Sequence, residues 1–313
     1  MTVRCTDVIR DKSNRIVGYI LTDIKNQNRY IAKNELKFLI KAGKLQISNL
    51  TLTGDERLIK KKLSDKGKSL REKIEHSKNK EFHYEGVCYY LIHDQIVAEI
   101  RDKERKAVKI LKGTTTINKC LSWSLETVEI PDSVIRISAG AFAGCCTLKE
   151  IVIPDNVVYT DCYVFENCTS LSKVALSQTL ECIDCGMFYN CTNLKEMAIP
   201  NGVKTIENSA FYGCTSLVHI LLPLSLVCIE GAAFRNCRSL SSINIPDGVT
   251  TIEHYAFKGC NMLKSVQIPK STAEIGREAF YYCPNLKRVV LPFKFKEDIH
   301  DIFNTEGIEF KFI

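Results

Sequence analysis

From residue 141 this chain repeats every 23 residues with no insertion, and that period constrains the fold more than any other feature. The anchors are Phe142, Phe165, Phe188, Phe211, Phe234, Phe257 and Phe280. A cysteine follows each after three residues: Cys145, Cys168, Cys191, Cys214, Cys237, Cys260 and Cys283. A leucine follows three further on, from Leu148 to Leu286, then Ile, Val or Met, then Ile or Leu, and in six of seven units a proline. Half a unit precedes them: Leu125, Val128, Ile130, Pro131, Val134 and Ile137. Self-similarity at this period is the mark of a stacked repeat, because one unit is too small to bury its own apolar face.

The residue types fix what each unit does. Leu-x-x-Ile-x-Ile-Pro ends in period-two apolar positions, as a short strand requires, and proline then stops the ladder by lacking a donor. Ala-Phe-x-x-Cys-x-x-Leu has apolar residues three apart, which suits a turn of helix or 3₁₀ packed back on the strand. Stacked units put successive strands ~4.8 Å apart, giving a parallel sheet roughly 35 Å long. The expectation is an α/β repeat solenoid over residues 121–292, with a small α+β domain before it.

The pattern Ala-Phe-x-x-Cys-x-x-Leu-x-x-Ile-x-Ile-Pro-x-x-Val-x-x-Ile resembles the BspA-type, or Treponema pallidum type, leucine-rich repeat over about residues 121–292. The second unit departs from it, with Val164 for Ala and Ser177 for Pro. The resemblance implies a leucine-rich-repeat parallel sheet and a binding role. Members of the family resemble adhesins and other binding proteins, often at bacterial or protist surfaces.

The chain holds 15 cysteines. Seven form the Phe+3 column, so they read as small apolar residues filling a fixed gap in each coil, reduced and buried. Cys182-Ile-Asp-Cys185 has the spacing of half a zinc site or a redox pair. No second C-x-x-C exists and no histidine is near it in sequence, so it reads as a coincidence in a Cys-rich repeat. No cofactor or metal is implied.

Catalytic signatures are missing from the sequence. The six histidines (His76, His83, His93, His219, His254 and His300) never fall in H-E-x-x-H spacing. There is no G-x-S-x-G elbow. Gly67-Lys68-Ser69 ends like a phosphate-binding loop, but Lys62 stands where that loop needs glycine. Asn49, Asn167 and Asn190 begin glycosylation sequons that matter only in an exported chain. The expectation is a protein that is not an enzyme.

Charge divides the chain. Residues 1–120 carry 27 Lys+Arg against 15 Asp+Glu, a balance of +12, whereas residues 121–313 carry −5. Such asymmetry suggests two modules with different partners. Residues 1–54 read as a β-β-α-β domain: strands at Val3–Ile9 and 15–22, a helix over 34–43 and a strand over 45–52. Residues 55–81 read as a basic charged linker or helix. Their alternative role is contact with nucleic acid, weakened by the lack of aromatic residues for stacking. Residues 82–120 read as a β-hairpin cap and 293–313 as a C-terminal cap. No run of 18 apolar residues exists, so no membrane insertion is expected. A start at Met1 without an apolar leader predicts a cytoplasmic protein, and a chain whose leader had been removed would be surface-exposed.

Strand alternation also predicts a binding face. Residues flanking the inward Ile/Val point outward in two columns. One is Glu150, Lys173, Glu196, His219, Ser242, Ser265 and Arg288; the other is Val152, Ala175, Ala198, Leu221, Asn244, Gln267 and Val290. The expected partner is an unknown protein or peptide, with Leu221 as an anchor. Nucleic-acid association through the basic half and surface adhesion are the alternatives.

Overall fold

The computed structural model describes residues 70–313 apart from 78, 94 and 305, and the backbone of four strands before them. The chain divides into two compact units, Met1–Lys66 and Gly67–Ile313. In the first, strands Thr2–Arg10, Ile16–Thr22 and Asn28–Ala32 form an antiparallel meander, and Gln46–Ile47 pairs parallel with the first strand. The strand Asn28–Ala32 has no counterpart in the sequence reading. The helix expected over 34–43, and the basic run as far as residue 69, lie outside the described residues.

The second unit is a solenoid whose coils advance by 23 residues. Its first set of parallel strands comes from the Leu-x-x-Ile-x-Ile segment: Glu150–Val152 pairs with Lys173–Ala175, Glu196–Ala198 with His219–Leu221, and Ser265–Gln267 with Arg288–Leu291. Ile243 is buried in the same column, although no strand is assigned over 242–244. A second sheet comes from the Val-x-x-Ile segment. Its two-residue strands, Cys182–Ile183, Thr205–Ile206, Cys228–Ile229, Thr251–Ile252 and Glu274–Ile275, pair in continuous register.

The third wall is the Phe–Cys segment, and it makes 3₁₀-type turns. The Cys145 N–H donates to the Phe142 carbonyl and the Leu148 N–H to the Cys145 carbonyl, each three residues back. No α-helix propagates because two positions per coil have left-handed backbone. Two residues before Phe stand Gly140, Tyr163, Gly186, Ser209, Ala232, Tyr255 and Glu278, and two after it Gly144, Asn167, Asn190, Gly213, Asn236, Gly259 and Tyr282, all with positive φ. The second column is Gly or Asn in six of seven coils, the residues that enter this region at least cost. In the first column, bonds between coils hold the conformation: the Ser209 N–H donates to Gly231 and the Ala232 N–H to His254.

Between the walls lies one continuous apolar core. The phenylalanines stack from Phe142 to Phe303 at centroid spacings of 5.0–5.7 Å, with rings within 16° of parallel. The cysteine column is bonded as well as buried. Each thiol from Cys168 to Cys283 donates to the carbonyl of the Phe 26 residues earlier, at 3.1–3.3 Å. That carbonyl already accepts the amide of its own coil's cysteine, so the thiol takes its second lone pair. Ser177 serves where proline is missing: it is fully buried and its hydroxyl accepts from the Thr179 N–H at 3.3 Å.

Both ends of the solenoid are covered. Strands Glu81–Tyr84, Val87–Ile92 and Gln95–Ile100 form an antiparallel meander whose last member pairs parallel with Thr116–Cys120. Glu85 and Gly86, both at positive φ, make the first turn. A helix over 70–75 buries Leu70 and Ile74 in the core, so the end of the charge run packs rather than only solvating. At the other end Phe303 adds an eighth rung to the Phe stack, and Glu309–Phe312 pairs with Arg288–Leu291 at an offset of 21 rather than 23.

Candidate binding face

The outer face of the first sheet is set by the pleat. Ile151, Met197, Ile220 and Val266 point inward and are buried. Their neighbours Glu150, Val152, Lys173, Ala175, Glu196, Ala198, His219 and Leu221 are exposed, as are Ser242, Asn244, Gln267 and Arg288; Ser265 and Val290 are half-buried. Register places Glu150 beside Lys173 and Val152 beside Ala175, then Glu196 beside His219 and Ala198 beside Leu221. One column is therefore charged and alternating in sign at its start, and the other is apolar.

Two grooves run over this face. The larger, of about 950 Å³, is lined by Val108, Glu129, Glu150, Val152, Lys173 and Ala175 among others. The smaller, of about 450 Å³, lies between Lys173, Glu196, Ala198, His219 and Leu221. Lys173 and Val174 belong to both. Ala175 and Ala198 are short, so they form a floor between the bulkier Val152 and Leu221, which are 65% and 70% exposed. Apolar side chains this exposed, three coils apart in one column, are what a buried contact would cover.

Leu224, 88% exposed, was not singled out from the sequence. Its column, one residue past the proline, reads Asp155, Gln178, Asn201, Leu224, Asp247, Lys270 and Phe293. Comparing the column down the repeat would have found Leu224 and Phe293 as its two apolar members, and both are exposed.

Cysteines and donor clusters offer a second kind of chemistry. None of the cysteines whose side chains are described is in a disulfide. Burial pushes the Cys214 and Cys283 thiols up to about 12, so the buried column stays protonated. Two groups of three donor side chains gather among the described residues: Glu81, His83 and Cys88, and Cys182, Asp184 and Glu207. In the first the Arg101 guanidinium already forks onto Glu81 at 3.1 and 3.2 Å. The second contains half of the C-x-x-C and draws its third member from the next coil.

A family model for the BspA type leucine rich repeat region matches residues 115–240 and 183–309, and the chain belongs to that family. Among solved structures it is similar to a leucine-rich repeat protein from T. pallidum, at 25% identity and TM-score 0.52, covering 74% of this chain and 100% of that one. It is also similar to a leucine rich cell surface protein from Faecalibacterium prausnitzii, at 21% identity and TM-score 0.55, covering 74% and 76%. A leucine-rich repeat protein from Bacteroides ovatus shares 28% identity at TM-score 0.45, covering 68% and 67%. No curated protein matches the chain. Among the described residues no helix is long and apolar enough to cross a membrane.

Proposed function

We propose that this protein is a non-enzymatic scaffold that binds a protein or peptide on the outer face of its first sheet. The observation that carries the reading is the pair of adjoining grooves with an alanine floor between exposed Val152 and Leu221. The repeat fold supports it, since solenoids of this kind present their sheet faces to partners. Val152 and Leu221 supply apolar anchors, and Glu150, Lys173, Glu196 and His219 supply a polar rim that sets register. Ser242, Asn244, Ser265, Gln267, Arg288 and Val290 extend the face toward the C-terminal end.

A photoreactive residue tests this directly. Placed at Ala198, on the groove floor, it should cross-link a protein in host extract. Placed at Thr205, on the second sheet, it should not. Equal cross-linking from both positions, or from Thr205 alone, would remove the assignment of this face.

A further inference from the structure

We propose that Cys182, Asp184 and Glu207 bind a divalent cation of the zinc-like, borderline-soft class, with the Cys182 sulfur as a thiolate ligand. The geometry is already close to what such an ion needs. One donor atom from each residue lies within 4.8 Å of the other two. The Cys182 Sγ is 3.4 Å from the Asp184 Oδ1. Bonds of about 2.3 Å to sulfur and 2.0–2.2 Å to oxygen at tetrahedral angles put ligand atoms roughly 3.5 Å apart.

The hydrogen bonds leave a carboxylate oxygen on each acid for an ion. The Cys182 thiol donates its proton to the Asp184 Oδ1. Binding releases that proton to water, and the ion takes its place between sulfur and oxygen. The other Asp184 oxygen, Oδ2, accepts from the Thr160 hydroxyl. The Glu207 Oε2 accepts from the Cys185 N–H at 3.1 Å. These two outer bonds fix both carboxylates without consuming Asp184 Oδ1 or Glu207 Oε1, as supporting bonds do in protein metal sites.

Electrostatics point the same way. Asp161, Asp184, Glu207, Glu230 and Glu253 occupy one column on successive coils. Arg136 pairs with Asp161 at its end, and among the described residues no other salt bridge reaches the column. Cys162 and Cys185 stand beside the cluster, and burial first, then Cys185, Asp184 and Glu207, raises the Cys162 thiol, so the surroundings are thiols and carboxylates. A cation is the missing charge. Cys228 offers a contrast: it occupies the Cys182 position two coils on, near Glu230 and Glu253, yet joins no such three-donor group among the described residues.

Cobalt(II) titration of the reduced full-length chain tests the site. The expected result is a saturable sulfur-to-cobalt charge-transfer band, displaced by one equivalent of zinc. Cys182→Thr should abolish the band, and Thr is the residue the repeat itself uses here at 205 and 251. Glu207→Gln should weaken binding by roughly 10-fold or more. Cys228→Thr should leave the band unchanged, and circular dichroism should show all three variants folded. No charge-transfer band in the full chain, or a band that survives in folded Cys182→Thr, would overturn the proposal.

Discussion

At the scale of single residues, the repeat column decides a side chain's chemistry. A thiol in the Phe+3 column is buried and bonded to the neighbouring coil, whereas Cys146 is exposed. Alkylation of the native, reduced protein should therefore modify Cys146 early and leave Cys191, Cys214, Cys237 and Cys260 untouched until unfolding; mass spectrometry of the labelled peptides reads this. Asp184 makes the converse point. Burial first, then the neighbouring Glu207, pushes its carboxyl up to about 6 from an ordinary 3.8. The folded state thus holds a proton between those values that the unfolded state has lost. The stability linked to Asp184 is full below about pH 4 and disappears as pH rises through about 6. Its size is on the order of 2 kcal/mol. Denaturant midpoints measured in chelator should show this rise on acidification in the parent, and Asp184→Asn should flatten it. The buried cysteines were legible in the sequence because their column is strict. The cluster around Asp184 was not, because Glu207 lies 22 residues after Cys185 and only coil stacking brings them together.

At the scale of elements, legibility followed periodicity. The first sheet announces itself by alternation in Leu-x-x-Ile-x-Ile. The second escapes notice because two-residue strands such as Thr205–Ile206 are too short to alternate. The turn wall was half visible: apolar spacing of three suggested helix or 3₁₀, and the Gly and Asn at Phe+2 decide for turns. Phe303 keeps the 23-residue spacing from Phe280, but it was read as part of the cap because Glu306 and Glu309 stand where the repeat has Cys and Leu. Coil contact is also strict where backbones nearly touch. A Cβ on Gly276 would sit 2.2 Å from the His254 backbone nitrogen. Gly276→Ala should cost about 2 kcal/mol by forcing two coils apart. Its midpoint in urea should fall accordingly, and an unchanged midpoint would mean that the last coils separate without loss.

For the whole molecule, the solenoid unit 67–313 is a linear array in which each coil contacts its neighbours, closed by a meander at one end and a final coil at the other. Such an array offers faces, and the proposed binding role rests on a face that carries exposed apolar surface. Here that surface is the band from Val152 to Leu221 on the first sheet. The face was readable from the sequence because strand residues alternate. The grooves upon it were not, because they depend on two adjacent alanines lying between larger neighbours, a property of stacked columns. The most direct measurement is capture from nuclease-treated host extract by the full-length chain and by its Val152→Asp/Leu221→Asp variant, with melting temperatures matched. Both positions are exposed, so the variant should keep its fold. A protein retained by the parent and lost by the variant, at physiological and at high salt alike, is the expected result. Retention of the same protein by both, or a partner that disappears with nuclease, would contradict a scaffold that works through this face.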